Sequence, residues 1–271
     1  MLTKQLDILD LVNAHKAKGE PFALATVVRT VSVTAAKAGA KAVILPDGHI
    51  SGGWIGGGCA RGAVLKAARD ALADGQPRLV SVQPEDLLQA QELTAGVLRD
   101  GVQYALNSCP SQGTMDIFIE AVLPRPSLHI FGASPVAVAI ADIGERMGFG
   151  ITVCAPHGDH SAFATVDRFV DGFEVQNDRA DFIVVATQGK GDTAALKAVV
   201  ESPVPYLAFV GSRKKAAVLK KTLAEAGIAA HHLERIRAPA GLDIGAITPD
   251  EIAFSIIAEM IQYRRRGQRT A

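Results

Sequence analysis

The sequence predicts an α/β protein, with an N-terminal α+β domain followed by a Rossmann-like domain built on a doubly wound parallel sheet. Three observations carry that prediction. First, Leu128-His129-Ile130-Phe131, the small-residue turn Gly132 to Ala137, a helix-like stretch from Val138 to Met147 and Ile151-Thr152-Val153-Cys154 follow in order. Strand, tight turn, helix and strand in that succession open a nucleotide-binding sheet. Second, Phe182 to Ala186 and Tyr206 to Val210 are short, continuous apolar runs. Parallel strands covered on both faces read this way. Third, Pro124-Arg125-Pro126 divides the chain near its middle, where two close prolines favour an extended connector. The expected domains are therefore 1–123 and 128–271, joined by a linker at 124–127.

In the first domain, Met1 to Gly19 alternates charge with Leu2, Leu6, Ile8, Leu9, Leu11 and Val12, the pattern of an amphipathic helix. It lacks the continuous apolar core of a signal peptide. Phe22 to Val33, rich in Val and Thr, reads as a strand. Lys41 to Leu45 and His49 to Ser51 flank Pro46-Asp47-Gly48, a hairpin signal. Arg78 to Gln83 and Thr114 to Val122 supply two further strands, and Pro84 to Asn107 between them is expected to be mostly helical. In the second domain His231-His232 is read as part of a strand. The last helix begins at Thr248-Pro249-Asp250-Glu251, a capping box with proline at the first helical position.

Composition excludes several classes of partner. Among 271 residues, 28 basic side chains balance 28 acidic ones, so no net field recruits nucleic acid or an acidic membrane. No run of about 18 apolar residues is present to span a bilayer. Arg264-Arg265-Arg266 and Arg269 form a basic end that complements a helix C-terminus. The three cysteines, Cys59, Cys109 and Cys154, share no zinc-like spacing and are odd in number. A reducing cytoplasm is the expected compartment.

The densest functional signal is Gly52-Gly53-Trp54-Ile55-Gly56-Gly57-Gly58-Cys59-Ala60-Arg61. Glycines let a ligand approach backbone N–H groups closely. The residues after the thiol form a helix with Val64, Leu65, Ala68 and Leu72 on one face, stopped at Asp74-Gly75. Cys59 then stands where a glycine loop enters a helix, a place that favours anions and lowers a thiol pKa. A plain tight turn with a small apolar cysteine is the competing reading. Cys109-Pro110 puts a second thiol in a turn before a strand, whereas Cys154 closes an apolar strand and reads as core.

Three loops of the second domain are candidates for cofactor binding. Gly132, Ser134 and Ala137 stand where a dinucleotide fingerprint places Gly, Gly and Gly or Ala. No carboxylate ends the second strand at Cys154-Ala155-Pro156-His157, which leaves Asp159 as the candidate for a ribose contact in an NAD(P) enzyme. Thr187-Gln188-Gly189-Lys190 follows the next strand and lines the same crevice. Gly211-Ser212-Arg213-Lys214-Lys215 opens a helix with three cations in its first turn, an arrangement that the helix dipole disfavours and that a bound phosphate would offset. Asp243, in the long turn before the final helix, has a loop-capping and a ligand reading of equal weight.

Taken in order, Val28 to Lys41, Gly52 to Arg61, Cys109 to Glu120, the Gly132 turn, Gly211 to Lys215 and Gly241-Leu242-Asp243-Ile244-Gly245-Ala246-Ile247-Thr248-Pro249-Asp250-Glu251-Ile252-Ala253 resemble the XdhC/CoxI family of accessory proteins for molybdenum hydroxylases. The form of the glycine run is closer to the CoxI branch. Gln112 and the Ala155-Pro156 strand end depart from the family pattern, which carries glycine and an acidic residue there. The resemblance implies a cytoplasmic chaperone that binds molybdenum cofactor, as molybdopterin or its cytosine dinucleotide form, and assists its sulfuration and insertion. It implies an apo molybdenum hydroxylase as partner, a cysteine desulfurase as sulfur source and a homodimeric state. Cys59 is then the contact to sulfur or molybdenum and so the indirect metal residue, with Cys109 as a secondary candidate. Gly56, Gly57, Gly58, Arg61, Gly132, Ser134, Thr187, Gln188, Ser212, Arg213, Lys214 and Asp243 are the candidate cofactor contacts. An NAD(P)-dependent oxidoreductase and a scaffold that holds no cofactor are the rivals.

Overall fold

A computed structural model of the chain describes residues 7–110, 112–164, 166–174 and 180–266, with the backbone but not the side chain of Cys59. The chain divides into two compact units, Met1–Pro124 and Arg125–Ala271.

The first unit opens with α1 (Ile8–Lys18), capped by the Asp7 carboxylate, which accepts from the Leu9 N–H, and ended by Gly19 at φ +66°. Leu2 and Leu6 of the expected helix lie outside the described residues. β1 (Phe22–Val31) is followed by the hairpin β2 (Lys41–Ile44) and β3 (Ile50–Gly53), whose turn places Gly48 at φ +84°. Next comes α2 (Gly58–Asp74), closed by Gly75 in the left-handed region. Its buried face is Val64, Ala67, Ala68 and Ala71, with Leu65 and Leu72 only half-buried. The expected face is thus rotated toward alanines, whose small side chains let the helix backbone approach the sheet.

β4 (Arg78–Gln83) follows as expected, but the stretch 84–107 departs from the helical expectation. Only α3 (Glu85–Ala90) is helical, and β5 (Leu98–Arg99) and β6 (Val102–Leu106) form a hairpin. The cause is Asp100-Gly101, with φ of +52° and +77°, the residue pair that primed hairpin turns select. β7 (Thr114–Val122) completes a sheet of order β3-β2-β1-β7-β4-β6-β5. α2 covers one face, packing on Ala23, Ala25, Val27, Val80, Val82, Met115, Ile117 and Ile119.

The second unit is a parallel sheet of order β10-β9-β8-β11-β12-β13. Its elements are β8 (Ser127–Phe131), α4 (Pro135–Arg146), β9 (Gly150–Ala155), a 3₁₀ turn at His157–Ala162, β10 (Arg168–Asp171), β11 (Phe182–Val185), α5 (Asp192–Val199), β12 (Tyr206–Phe209), α6 (Arg213–Glu225), α7 (Ala230–Glu234), β13 (Ile236–Arg237) and α8 (Pro249–Arg264). This is the doubly wound Rossmann order. Each face has its own core, one gathering Ile140, Ile256, Ile257 and Met260 from α4 and α8, the other Leu196, Val199, Leu219 and Leu223 from α5 and α6. His231 and His232 belong to α7 and not to a strand, with ring centroids 4.0 Å apart. The capping box forms as the sequence implies: Thr248 Oγ1 accepts from the Glu251 N–H at 3.3 Å, while the Glu251 carboxylate accepts from the Thr248 N–H at 2.9 Å. Those backbone hydrogen bonds from Thr248 and Ile247 hold the Glu251 carboxyl below its ordinary range.

Among the described residues, no helix is long and apolar enough to cross a membrane.

Candidate functional site

In the first unit the glycine run and the Cys109 loop meet. A cavity of about 210 Å³ is lined by Thr34 and Ala35 after β1, Gly57, Gly58 and Ala60 at the start of α2, Val82 on β4, Asn107 and Cys109 after β6, and Met115 on β7. Gly56, buried at φ +112°, turns the chain into the helix, and a Cβ there would press on the Met115 methyl at 3.1 Å. Because the N-cap is Gly57, no side chain caps the helix, and its first-turn N–H groups keep their capacity for an anion. The side chain of Cys59 lies outside the described residues; its backbone is in the first turn of α2.

The Cys109 loop is held by Asn107, which sequence reasoning missed. Its Oδ1 accepts from the Cys109 N–H at 3.0 Å, its Nδ2 donates to the Gly113 carbonyl at 2.6 Å, and its own N–H reaches the Gln83 carbonyl at 2.6 Å. An asparagine that bonds its own backbone two residues on is a known turn device, so a signal was present. Gln112 adopts φ +46°, the left-handed region that glycine occupies without strain. That explains why a glycine suits this position. A Cβ on Gly113 would collide with the Val33 carbonyl oxygen, so the loop lies directly against the end of β1. Arg61, by contrast, is exposed on α2 and is not among the residues lining this cavity.

In the second unit two cavities open at the C-terminal edge of the sheet. One, of about 280 Å³, lies where the strand order reverses between β8 and β11, and is lined by Gly132, Ser134, Asp159, Thr187, Gln188 and Lys190 among others. Open α/β sheets bind ligands at this switch point. Gly132 has φ +109°, and a Cβ would stand 2.7 Å from the Thr187 Cα. Ser134 Oγ accepts from the Ala137 N–H at 3.2 Å, capping α4. The other cavity, of about 600 Å³, is lined by Gly211, Ser212 and Arg213 at the head of α6 and by Gly241 to Ala246, Asp243 included.

The three cations of the Ser212 turn do not act together. Arg213 lines the larger cavity and Lys214 is exposed, while Lys215 Nζ lies 2.5 Å from the buried Asp192 carboxylate and 5.7 Å from the Phe209 ring centroid. Part of the electrostatic cost of starting a helix with cations is therefore offset inside the protein by Asp192. Asp192 also accepts from the Thr187 hydroxyl and, at 2.9 Å, from the Gly189 N–H. Burial alone would raise its carboxyl pKa, but the hydrogen bonds from Lys215, Thr187 and Gly189 outweigh burial and hold it below the ordinary carboxylate range. Asp192 thus ties the Thr187–Lys190 loop to α6, linking the walls of the two cavities. On α8, the Glu259 carboxylate accepts from Tyr206 OH at 2.7 Å, the Gly241 N–H at 2.9 Å and Arg237 at 3.0 Å, which anchors the Gly241 loop of the larger cavity to that helix. Cys154 is buried, and that burial pushes its thiol up to about 12. It is a core residue, as its strand position implies.

Among the described residues, no group of three or more His, Cys, Asp or Glu side chains is arranged to hold a metal ion. The candidate contacts fall into three groups: Gly57, Gly58 and Cys109; Gly132, Ser134, Thr187 and Gln188; and Ser212, Arg213 and Asp243.

Comparison with known proteins bears on what these cavities serve. The model of the XdhC Rossmann domain matches residues 128–260, and the model of the XdhC and CoxI family matches residues 15–83. The uncharacterized protein YqeB of Escherichia coli (strain K12) is 31% identical over 257 residues, covering 91% of this chain and 44% of the relative. A probable xanthine dehydrogenase component of Bacillus subtilis (strain 168) is 31% identical over 163 residues, covering 56% of this chain and 47% of the relative. The chain spans less than half the length of these curated relatives. A crystal structure described as a xanthine dehydrogenase from Bacillus halodurans is 18% identical, covers 97% of each chain and has a TM-score of 0.48. The two family models match segments of both units, the glycine run and the loops of the Rossmann unit included, and the chain belongs to the XdhC and CoxI family.

Proposed function

We propose that this chain is a carrier for molybdenum cofactor that assists its sulfuration and its insertion into an apo molybdenum hydroxylase of the xanthine dehydrogenase type. The observation that carries the proposal is the cavity of the first unit, where the uncapped start of α2 and the Cys109 loop share one wall. The donor chemistry fits the cargo. A thiolate suits molybdenum or a transferred sulfur, with Cys59 and Cys109 as the candidate thiols. Backbone N–H groups at a helix start suit a phosphate, and so do Ser212 and Arg213 at the head of α6.

Taken by itself, the second unit has two cavities, linked through Asp192, that are candidate seats for a phosphate or nucleotide, with Gly132, Ser134, Thr187 and Gln188 in one and Ser212, Arg213 and Asp243 in the other. Membership of the XdhC and CoxI family supports xanthine dehydrogenase maturation as the setting. A cysteine desulfurase as sulfur donor, a homodimer and a cytoplasmic site of action belong to the same proposal.

The test is the pterin content of protein purified from a molybdopterin-producing host, read as the fluorescent oxidation product. Pterin near one per chain is expected. A clean absence, together with no binding when the cofactor is added, overturns the proposal.

A second reading, NAD(P) binding, is favoured by one observation: Asp159 lines the same switch-point cavity as Gly132 and Ser134. Calorimetry with NAD and NADP decides it, and no heat from either dismisses it.

A further inference from the structure

The cavity beside Gly57, Gly58 and Cys109 has room for only part of the cargo proposed for it. Ordinary ligand pockets occupy about 300–1,000 Å³, and this one is about 210 Å³. A tricyclic pterin that carries a dithiolene and a phosphate can insert one end only, and the remainder must lie across the rim.

An aromatic plate is hydrogen-bonded to the wall of that cavity. Trp54 is 58% exposed, although an indole is a large apolar surface that proteins ordinarily bury. It is held from two directions. Its backbone N–H donates to the Lys41 carbonyl at 2.9 Å, and its indole Nε1–H donates to the Ala35 carbonyl at 3.4 Å. Ala35 is itself part of the cavity wall, so the edge of the ring is tied to that wall although Trp54 does not line the cavity. Gly53, at φ +89°, packs so closely that a Cβ would collide with the Lys41 carbonyl oxygen, which fixes the backbone entering Trp54. Val33, 69% exposed, stands in the neighbouring loop that Gly113 braces. An exposed indole fixed at its edge presents a face, and the complement of such a face is a flat heteroaromatic ring.

We infer that Trp54 is a stacking platform for the pyrimidine ring of the pterin, so that the dithiolene end enters the cavity while the ring system lies on the indole tied to its wall. This rests on the cargo reading above and adds to it a residue that selects for a flat heterocycle. Trp54 acts by contact with the ligand ring and takes no part in any chemical step.

Trp54 is the single tryptophan among 271 residues, so its emission reports on that one surface. The experiment titrates the full chain anaerobically with molybdopterin released from a molybdenum hydroxylase, following bound pterin by equilibrium dialysis and indole emission in parallel. Saturable quenching with the same midpoint as dialysis is expected. Trp54→Ala should weaken binding about tenfold, in line with aromatic platforms that stack bases. Trp54→Leu, which keeps apolar bulk without a ring face, should lose as much, and Trp54→Phe should keep affinity within about threefold. Circular dichroism of each variant controls for folding.

Binding by dialysis with unchanged indole emission, and wild-type affinity in Trp54→Leu, overturns the stacking role and leaves the cargo reading intact. No binding by dialysis overturns both. A Trp54→Leu variant that binds pterin normally but no longer associates with an apo hydroxylase also overturns it, and reassigns the indole to a protein interface.

Discussion

Replacing Asp192 tests the internal tie between the two cavities of the Rossmann unit. Its carboxylate is 7% exposed and receives Lys215 at 2.5 Å, the Gly189 N–H at 2.9 Å and the Thr187 hydroxyl. Breaking a buried ion pair costs about 3–5 kcal/mol when the remaining charge stays buried. The Lys215 side chain is 38% exposed and can reach water once released, so the loss is smaller. Thr187, 4% exposed, cannot escape in the same way, and an unsatisfied buried hydroxyl costs about 1–3 kcal/mol. We therefore expect Asp192→Ala to destabilise the second unit by about 2–3 kcal/mol. For a unit of this size that lowers its Tm by roughly 5–10 °C in scanning calorimetry. Asp192→Asn retains an acceptor for Thr187 and Gly189 and loses only the charge, so it should fall by about half as much.

The pH dependence follows from the lowered pKa. A carboxyl whose folded value lies below its unfolded value, about 3.9, contributes stability that is present above that value and is lost as pH falls through the folded one. The gap between wild type and Asp192→Ala should be constant from about pH 5 to 8 and should narrow below about pH 4. A Tm shift under about 1 °C at pH 7, or a gap that widens in acid, would refute the reasoning.

Three further outcomes are expected. Gly132→Ala sets a Cβ 2.7 Å from the Thr187 Cα at φ +109° and should close the switch-point cavity, lowering phosphate-ligand affinity more than tenfold by calorimetry. Gln112→Gly relieves a left-handed side chain at φ +46°, and urea unfolding should show a gain of about 0.5–1 kcal/mol, because the strain of about 1–2 kcal/mol exceeds the entropy that glycine adds to the unfolded chain. The double variant Cys59→Ser, Cys109→Ser keeps only Cys154, whose thiol is pushed up to about 12 by burial, so a thiol reagent at pH 8 should label it only after denaturation.

How much of this was legible in the sequence depended on the range of the interaction. The Rossmann unit was readable because its strands are continuous apolar runs and two of its caps are local signals: Ser212 and Thr248 each cap the helix that follows them, whereas the cap at Ser134 was hidden by its place in the dinucleotide fingerprint. The hairpin at Pro46-Asp47-Gly48 was readable for the same reason. The 84–107 stretch was misread because Leu87, Leu88 and Leu93 suggest helix, while Asp100-Gly101, the stronger local signal, dictates the β5–β6 hairpin. The meeting of Cys109 with Gly57 and Gly58 was not legible, since it depends on β6 and β7 lying beside β4 and under α2. Nor was the Asp192–Lys215 pair, which joins the heads of two helices and turns one of the three Ser212-loop cations inward. The helix dipole argument identified an unusual cluster of cations but not the internal carboxylate that partly satisfies it.

The central claim, that this chain holds molybdenum cofactor and hands it on, is tested most directly by a transfer measurement. Protein loaded with the cofactor is mixed with an apo molybdenum hydroxylase of the xanthine dehydrogenase type, and the two are separated and assayed for pterin. The account predicts that pterin leaves this chain and appears with the hydroxylase, and that the Cys59→Ser, Cys109→Ser variant transfers none in active form. Pterin that never associates with this chain, or that reaches the hydroxylase equally fast in its absence, contradicts it.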